Sequence, residues 1–306
     1  MKRKLSRLIK KMLVSTGLDN YIADLHHKTH WWLLQKLLPD RTFYNAADKK
    51  TITRYGVNFV VAPADFSQWL LFVDRTDTHV NAALTCLKDG ENAGVILDVG
   101  ANCGNFSLIM AQTIRNKGWN KEVVAFEPNP IVFSRFMANL ALNPQLTSIV
   151  KVVNKGVGHE QSQLELQLPL RNSGAGSLVR NYEHEPHEKH LVDIVKLDAF
   201  FEGNSQPIEF IKIDVENFEY FVLQGANQII GKHKPAIYLE MGNGQLNQNE
   251  IFNFFHQHGY LLYGEQGSGF IKIATIQAYQ PDIHRNILAR AEGSNEPDSG
   301  RTKNQL

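Results

Sequence analysis

Acidic residues close several apolar runs in this 306-residue chain, and their positions suggest ligand chemistry. The run Val95-Ile-Leu-Asp98 passes at once into Val-Gly-Ala-Asn-Cys-Gly, with glycines at 100 and 104, and then into Phe106–Ala111, apolar at helical spacing. That order reads as a buried strand, a tight turn and a helix start. Gly100 and Gly104 allow the backbone to approach a ligand closely, and a helix beginning near Asn105 offers free N–H groups. Glu127 closes the next apolar run, where it can accept hydrogen bonds from two ribose hydroxyls, and Pro128 then stops the strand. The run ending at Val153 leads into Asn154-Lys-Gly-Val-Gly158, and Ile208–Ile213 leads into Asp214-Val-Glu216. In an open α/β sheet, strand ends of this kind face the crevice where nucleotide-like ligands bind. The glycines follow G-x-x-x-G rather than the dinucleotide pattern G-x-G-x-x-G. Glu127, one strand later, makes a ribose-bearing ligand the better reading.

The elements that position these residues alternate in type. Strands are expected at Val95–Val99, Glu122–Phe126, Ile149–Val153, Ile208–Ile213 and Ala236–Leu239, and helices at Ser107–Asn116, Pro130–Asn143, Phe218–Ile230 and Gln248–His258. Strands near Tyr260–Tyr263 and Phe270–Ile273, parted by a glycine-rich turn, suit a hairpin that adds an antiparallel strand. The fold expected is α/β, a mainly parallel sheet with helices on both faces. Between Val153 and Ile208 lies an insertion with strands at Gln163–Leu168 and Val192–Leu197, a Gly/Ser turn at Asn172–Ser177, and a His-rich run from His184 to His190. Ahead of the sheet, residues 1–40 read as helical, residues 51–73 as short strands and Thr78–Leu87 as helical. The domains expected are an N-terminal helical and β extension over 1–84, a sheet domain over 85–280, and a tail over 281–306, disordered after about Ala291 on its polar composition.

Composition sets few limits. The chain is 43% hydrophobic and 21% charged, with formal net charge +1, which gives no reason to expect a nucleic-acid partner. Two cysteines cannot form a disulfide framework, so a reducing, cytoplasmic setting is expected, and Cys103 reads as a small filler in its turn. No stretch approaches the roughly 18 apolar residues of a membrane span, and no secretory signal is recognisable. The first eleven residues include Lys2, Arg3, Lys4, Arg7, Lys10 and Lys11 and no acid, and Trp31-Trp32 follow. This segment is either a helical cap packed on the domain with its lysines solvated, or a peripheral contact with the inner face of a membrane. His184, His187 and His190 could share a helical face as zinc ligands, but a solvated loop that covers the substrate is the preferred reading, with one of the histidines available as a base.

The segments Leu97-Asp-Val-Gly-Ala-Asn-Cys-Gly-Asn-Phe-Ser107, Phe126-Glu-Pro-Asn129 and Lys212-Ile-Asp-Val-Glu-Asn-Phe-Glu219, together with Val222-Leu-Gln-Gly-Ala226 and Pro235-Ala-Ile-Tyr-Leu-Glu240, resemble the FkbM family of S-adenosylmethionine-dependent methyltransferases. The likeness covers residues 85–275. It implies a seven-stranded Rossmann-like sheet and O-methylation, often of sugars in glycans, glycolipids or secondary metabolites. The family usually has Gly where this chain has Asn217; Asn tolerates left-handed backbone, so the turn can survive. By that resemblance Asp98, Gly100, Ala101, Asn102 and Gly104 would shape the site for the methionine part of S-adenosyl-L-methionine. Glu127, with Pro128 and Asn129, would hold the ribose, and the adenine would lie near Gly156 and Val157. Asp214 and Glu216 would face the transferring methyl group.

A hydroxyl is a poor nucleophile while protonated, so a base or a divalent metal near the methyl would speed transfer. Asp214 is the first candidate for base or metal ligand and Glu240 the second. Glu216 is a third candidate or an organiser of its loop, and Glu219 reads as a helix-start residue. Two other classes stay open, a nicotinamide-dependent oxidoreductase on a similar fold and a non-catalytic cofactor-binding scaffold.

Overall fold

A computed structural model of the chain describes residues 2–74, 78–87, 92–169, 176–179, 184, 186–242, 244–267, 269–284 and 286–297. Three helices come first, α1 (Lys2–Thr16), α2 (Leu18–Thr29) and α3 (Trp32–Leu37). The hairpin β1 (Lys50–Arg54) and β2 (Val57–Val61) turns at Tyr55 and Gly56, both left-handed at φ 52° and 78°, as a two-residue hairpin turn requires. Helices α4 (Phe66–Phe72) and α5 (Thr78–Cys86) follow. The first of these falls in the stretch read as short strands; Asp65 caps it by accepting from the Gln68 backbone N–H.

The central domain then alternates as expected: β3 (Gly94–Val99), α6 (Asn105–Lys117), β4 (Lys121–Phe126), α7 (Pro130–Ala141), β5 (Val150–Val153). An insertion supplies β6 (Gly156–Val157), β7 (Ser162–Pro169) and β8 (His187–Val195), and the short α8 (Leu197–Phe200) leads out of it. The chain returns with β9 (Ile208–Ile213), α9 (Glu219–Gly225), α10 (Asn227–His233), β10 (Ala236–Glu240), α11 (Gln248–Gln257), β11 (Tyr260–Gln266), β12 (Gly269–Ile273) and β13 (Asn286–Ala291). The helix expected over Phe218–Ile230 is therefore two, broken at Ala226 (φ −110°).

Eight strands lie in the order β12-β11-β13-β10-β9-β3-β4-β5. Neighbours from β10 to β5 are parallel, β13 is antiparallel to both β10 and β11, and β12 forms a hairpin with β11. The seven-stranded Rossmann-like sheet is thus present with β12 added at its edge. One strand corrects the reading of residues 281–306 as a tail: β13 runs through the sheet, with Ile287, Leu288 and Ala289 fully buried. The strand order reverses between β3 and β9, which opens a crevice beyond their carboxyl ends. All six residues of β3 are buried, because side chains alternate between two apolar layers. Ile96, Ala125, Phe210 and Leu288 pack with α5, α6 and the N-terminal hairpin, while Leu97, Val124, Ile211 and Ile287 pack with α9, α10 and α11.

Residues of the insertion form a separate three-stranded sheet, β6-β8-β7. The helical face of histidines considered as a zinc site does not form, and from His187 onward the segment preferred as a solvated loop is strand β8. His187 and His190 sit in β8, paired along its length with β7, so their side chains point to opposite faces, and His184 lies outside the strand. Within the Gly/Ser turn, Ser173 lies outside the described residues; Ser177 pairs with Gln167 by backbone hydrogen bonds.

Asn139 of α7 and Asn143 just beyond its end fasten the N-terminal hairpin to the domain. Asn143 Oδ1 accepts from the Asn58 N–H at 2.9 Å and Asn139 Oδ1 from the Val60 N–H at 2.9 Å, while Asn139 Nδ2 donates to the Cys103 carbonyl at 3.0 Å. The exposed edge of β2 is satisfied in this way and tied to the glycine turn.

Helix α9 packs equally closely, with Gly225 against the Gly158 carbonyl just after β6. Alanine is worth about 1 kcal/mol more than glycine in a helix interior. Here a Cβ would run into that carbonyl, so Gly225→Ala is expected to lower stability by about 1–3 kcal/mol, seen as a reduced urea midpoint.

Candidate active site

At the switch point, Asp98 and Lys212 are register partners on adjacent strands β3 and β9. Their side chains meet, Lys212 Nζ donating to Asp98 Oδ1 at 3.0 Å and to the Gly100 carbonyl at 3.1 Å, with Asp214 Oδ2 at 3.6 Å. Asp98 is fully buried and also accepts from Ser107 Oγ at 2.6 Å. Burial alone would lower the Lys212 pKa, but the charges of Asp98, Asp214 and Glu240 outweigh it and hold the ammonium. Lys212 thus links both strands to the turn between β3 and α6.

That turn needs its glycines. Gly100 (φ 80°) passes so close to β9 that a Cβ would collide with the Asp214 carbonyl, and a Cβ on Gly104 (φ 87°) would strike the Phe136 ring. Between them Asn102 is also left-handed (φ 50°), with its side chain accepting from the Cys103 N–H at 2.7 Å. Cys103 is buried, and burial pushes its thiol up to about 12, which fits the filler reading.

Glu127 bridges two loops. Its Oε2 accepts from the Asn102 N–H at 2.8 Å and its Oε1 from the Asn129 N–H at 2.9 Å. Asn129 in turn caps α7, accepting from the Ile131 and Val132 N–H groups. Burial raises the Glu127 carboxyl to about 7, even though the N–H groups of Asn129 and Asn102 favour its charged form.

The acids after β9 behave as one unit with Glu240 at the end of β10. Burial would raise the Asp214 pKa, but Lys212, a hydrogen bond with Glu240, and His79 together hold it below the usual carboxylate range. Glu240 reaches solvent, yet the adjacent Asp214 charge, then burial and the hydrogen bond to Asp214, push it up to about 9. At neutral pH the pair therefore carries one proton, on Glu240, and Asp214 is ionised. With Lys212 and Asp98, the cluster has one net negative charge.

Beyond Asp214 the loop turns through Glu216 (φ 53°) and Asn217 (φ 79°), and Asn217 does supply the left-handed conformation expected of it. Glu219, the first residue of α9, organises this loop. Its Oε1 accepts from the Val215 and Asn217 N–H groups at 3.3 and 3.2 Å, and its Oε2 from Gln245 Nε2 at 2.6 Å.

A cavity lies over these strand ends. Gly100, Asn102, Glu127, Pro128, Asn129, Gly156, Val157, Asp214 and Glu216 all line it. Asp98, Ala101 and Gly104 do not. Asp98 is consumed by Lys212 and Ser107, Ala101 donates its N–H to the Phe126 carbonyl, and Gly104 starts α6. These three shape the turn from behind. Leu166, Gly176 and Leu178 from the insertion form part of the wall, so the insertion meets the cavity beside Val157 and Gly156. Sequence reasoning gave no role to Lys212 or His79. A lysine inside the apolar run Ile208–Ile213 was the available signal for the first. His79 of α5 carried none; its ring lies 5.3 Å from that of Tyr238, a register neighbour of Lys212, and burial and the Lys212 charge lower its pKa.

An open, mainly parallel α/β sheet with a cavity over its strand ends, lined by acids after β4 and β9, has a Rossmann-like fold of the methyltransferase type. Residues 98–262 match the methyltransferase FkbM domain, and the chain belongs to that family. It is similar to Methyltransferase 1 of Beauveria bassiana, 30% identical over 149 residues, covering 42% of this chain and 57% of that protein. Methyltransferase sdnD of Sordaria araneosa is 27% identical over 161 residues, covering 44% and 60% respectively. The aligned region thus spans less than two thirds of either relative. Among solved structures, methyltransferase FkbM from Methylobacillus flagellatus KT matches with TM-score 0.44 and 17% identity, over 73% of this chain and 52% of that one.

The residues present fit an S-adenosylmethionine-type cofactor. Glu127 keeps carboxylate lone pairs for a ribose diol, Val157, Leu166 and Leu178 offer an apolar wall for a base, and the net negative cluster suits a cationic sulfonium. The dependence on Glu127 can be measured. Its carboxyl holds a proton more tightly in the folded protein (about 7) than at its ordinary value of 4.5, so its contribution to stability falls as pH rises across that window. Ribose hydroxyls donate best to the ionised form, so calorimetry should show S-adenosylmethionine binding strengthening from about pH 6 to about pH 8. Glu127→Gln should weaken binding about 10- to 100-fold and remove that pH dependence.

Proposed function

We propose that this protein is an S-adenosylmethionine-dependent O-methyltransferase that methylates a sugar hydroxyl in a glycan, a glycolipid or a secondary metabolite. Family membership supports the reaction class. The observation that carries the reading further is the Asp214–Glu240 pair, in which a carboxylate kept ionised beside Lys212 stands at the cavity wall.

When bound, the cofactor supplies a methyl group on a positively charged sulfur. The rest of the chemistry belongs to this chain's residues. Glu127 accepts from the ribose, Gly100 and Asn102 bring the backbone close, and Pro128, Val157 and Leu178 exclude water from the base. Asp214 is the group positioned to accept the proton of an incoming hydroxyl as oxygen gains its new bond. Glu240, already protonated, donates to Asp214 and prevents a second negative charge from forming beside it. Glu219 holds the loop through Val215 and Asn217, which fixes where Asp214 and Glu216 stand. We assign Asp214 as the base.

Methyl transfer from labelled cofactor to fractionated glycans, glycolipids and small molecules tests this reading. A label stable to alkali and recovered as an O-methyl sugar is the expected result; label on nitrogen or carbon, or binding of NAD(H) in place of S-adenosylmethionine, overturns it. Asp214→Asn, which keeps the side-chain volume, should reduce kcat about 10²- to 10⁴-fold, the usual range for loss of a general base, while cofactor affinity stays within a few-fold. Unchanged turnover in that variant removes Asp214 from the chemistry.

A further inference from the structure

The N-terminal helices leave apolar side chains in water that a packed cap would bury. On α1, Leu8 is 64% exposed, Met12 53% and Ile9 39%, while only Leu13, at 6%, is buried among the described residues of that helix. Leu8 and Met12 are one turn apart and share a face. At the other end of the same extension Trp31 and Trp32 are 51% and 56% exposed, with Leu33 and Leu37 beside them. The extension is nonetheless firmly built. Asp19, fully buried, accepts from Tyr44 Oη at 2.9 Å and Lys50 Nζ at 2.8 Å, and Arg54 Nη1 donates to Asp24 at 2.7 Å.

Those pairings also decide the charge that remains. Over residues 1–41 the chain has Lys2, Arg3, Lys4, Arg7, Lys10, Lys11, Lys28, Lys36 and Arg41 against Asp19, Asp24 and Asp40. Asp19 and Asp24 are engaged by Lys50 and Arg54 from β1, and Asp40 accepts from the Thr42 N–H. The formal charge of this segment is therefore strongly positive. On α1, helical spacing sets Lys11 to one side of the exposed Leu8 and Met12, with Arg7 and Lys10 further round the helix. Lys36 Nζ lies 4.1 Å from the centre of the Trp32 ring, so a cation and an indole are presented together.

We infer that the exposed apolar and basic face of α1 and α3 is a docking surface for an anionic phospholipid bilayer. Apolar side chains enter the acyl boundary, the tryptophans sit at headgroup level, and the lysines meet lipid phosphates. A second copy of the chain fits less well, since pairing this face with itself would bring two sets of unneutralised bases together. The inference goes beyond the methyl-transfer reading and does not depend on it. Among the described residues no helix is long and apolar enough to cross a membrane, so the contact proposed is peripheral.

Flotation of the full chain with phosphatidylcholine vesicles, with and without phosphatidylglycerol, tests this. The protein should float with the anionic vesicles, stay behind with the neutral ones, and be released by added salt. Lys10→Gln/Lys11→Gln should bind about 30-fold more weakly, from the usual contribution of each basic residue near such a surface. Trp31→Ala/Trp32→Ala should lose most of the binding, while urea midpoints and calorimetric cofactor affinity match the parent in both variants. No flotation with anionic vesicles, or equal flotation with both kinds, overturns the inference. So does a dimer in light scattering that Trp31→Ala/Trp32→Ala converts to monomer, which would assign the face to a second copy. Cofactor binding measured on the same samples separates either failure from a failure of the methyl-transfer reading.

Discussion

The ammonium of Lys212 is the group on which the site's geometry depends. It is 4% exposed and has acceptors in the Asp98 carboxylate and the Gly100 carbonyl, with the Asp214 carboxylate next to them. A charge buried this deeply is tolerated only when paired and hydrogen-bonded, and removal of one partner typically costs about 3–5 kcal/mol. The pairing comes from topology, because Asp98 and Lys212 become neighbours only where β3 and β9 run side by side at the reversal of strand order. Through these contacts one side chain fixes the end of each strand and the glycine turn relative to the other. The close approach of Gly100 to the Asp214 carbonyl is the steric counterpart of the same constraint.

Two electrostatic settings follow, on opposite sides of the cavity. On the Asp214 side, Lys212 offsets the acids only in part, so Asp214 stays ionised while its charge keeps Glu240 protonated. On the other side, among the described residues, no cation makes a hydrogen bond to Glu127. Backbone N–H groups from two loops hold its carboxylate, and burial brings its pKa near neutrality. The first arrangement is suited to attracting a cation; the second is suited to accepting hydroxyls. Each depends on a neighbouring loop, through Glu219 in one case and Asn129 in the other.

The peripheral elements serve that core in different ways. Asn139 links the edge of the N-terminal hairpin to the Cys103 carbonyl, so the extension is coupled to the glycine turn it packs behind. The small sheet of the insertion brings Leu166, Gly176 and Leu178 to the cavity, and Ser177 Oγ donates to the Glu216 carbonyl at 2.9 Å. The insertion therefore braces the same loop that carries the acids of β9.

Much of this was legible in residue order. The apolar runs ending in Asp98, Glu127 and Asp214, and the glycines at 100 and 104, are local signals, and local signals specify local structure: strand, turn, helix start. Their common destination followed from the strand–helix rhythm. Elements whose identity depends on distant partners were not legible. Strand β13 has only Ile287, Leu288 and Ala289 as an apolar core within polar surroundings, and it is a strand because β10 and β11 leave a place between them. Strand β8 opens with charged and His residues that pair along β7, which no periodicity announces. The roles within the site divide in the same way. That Glu127 and Asp214 would stand at the crevice was written in the chain. That Asp98 would be spent on Lys212, that Glu240 would hold the proton for Asp214, and that the N-terminal apolar face would stay in water were decided by the tertiary structure. Charge pairing and burial depend on distances between residues far apart in sequence, and only the folded chain sets those distances.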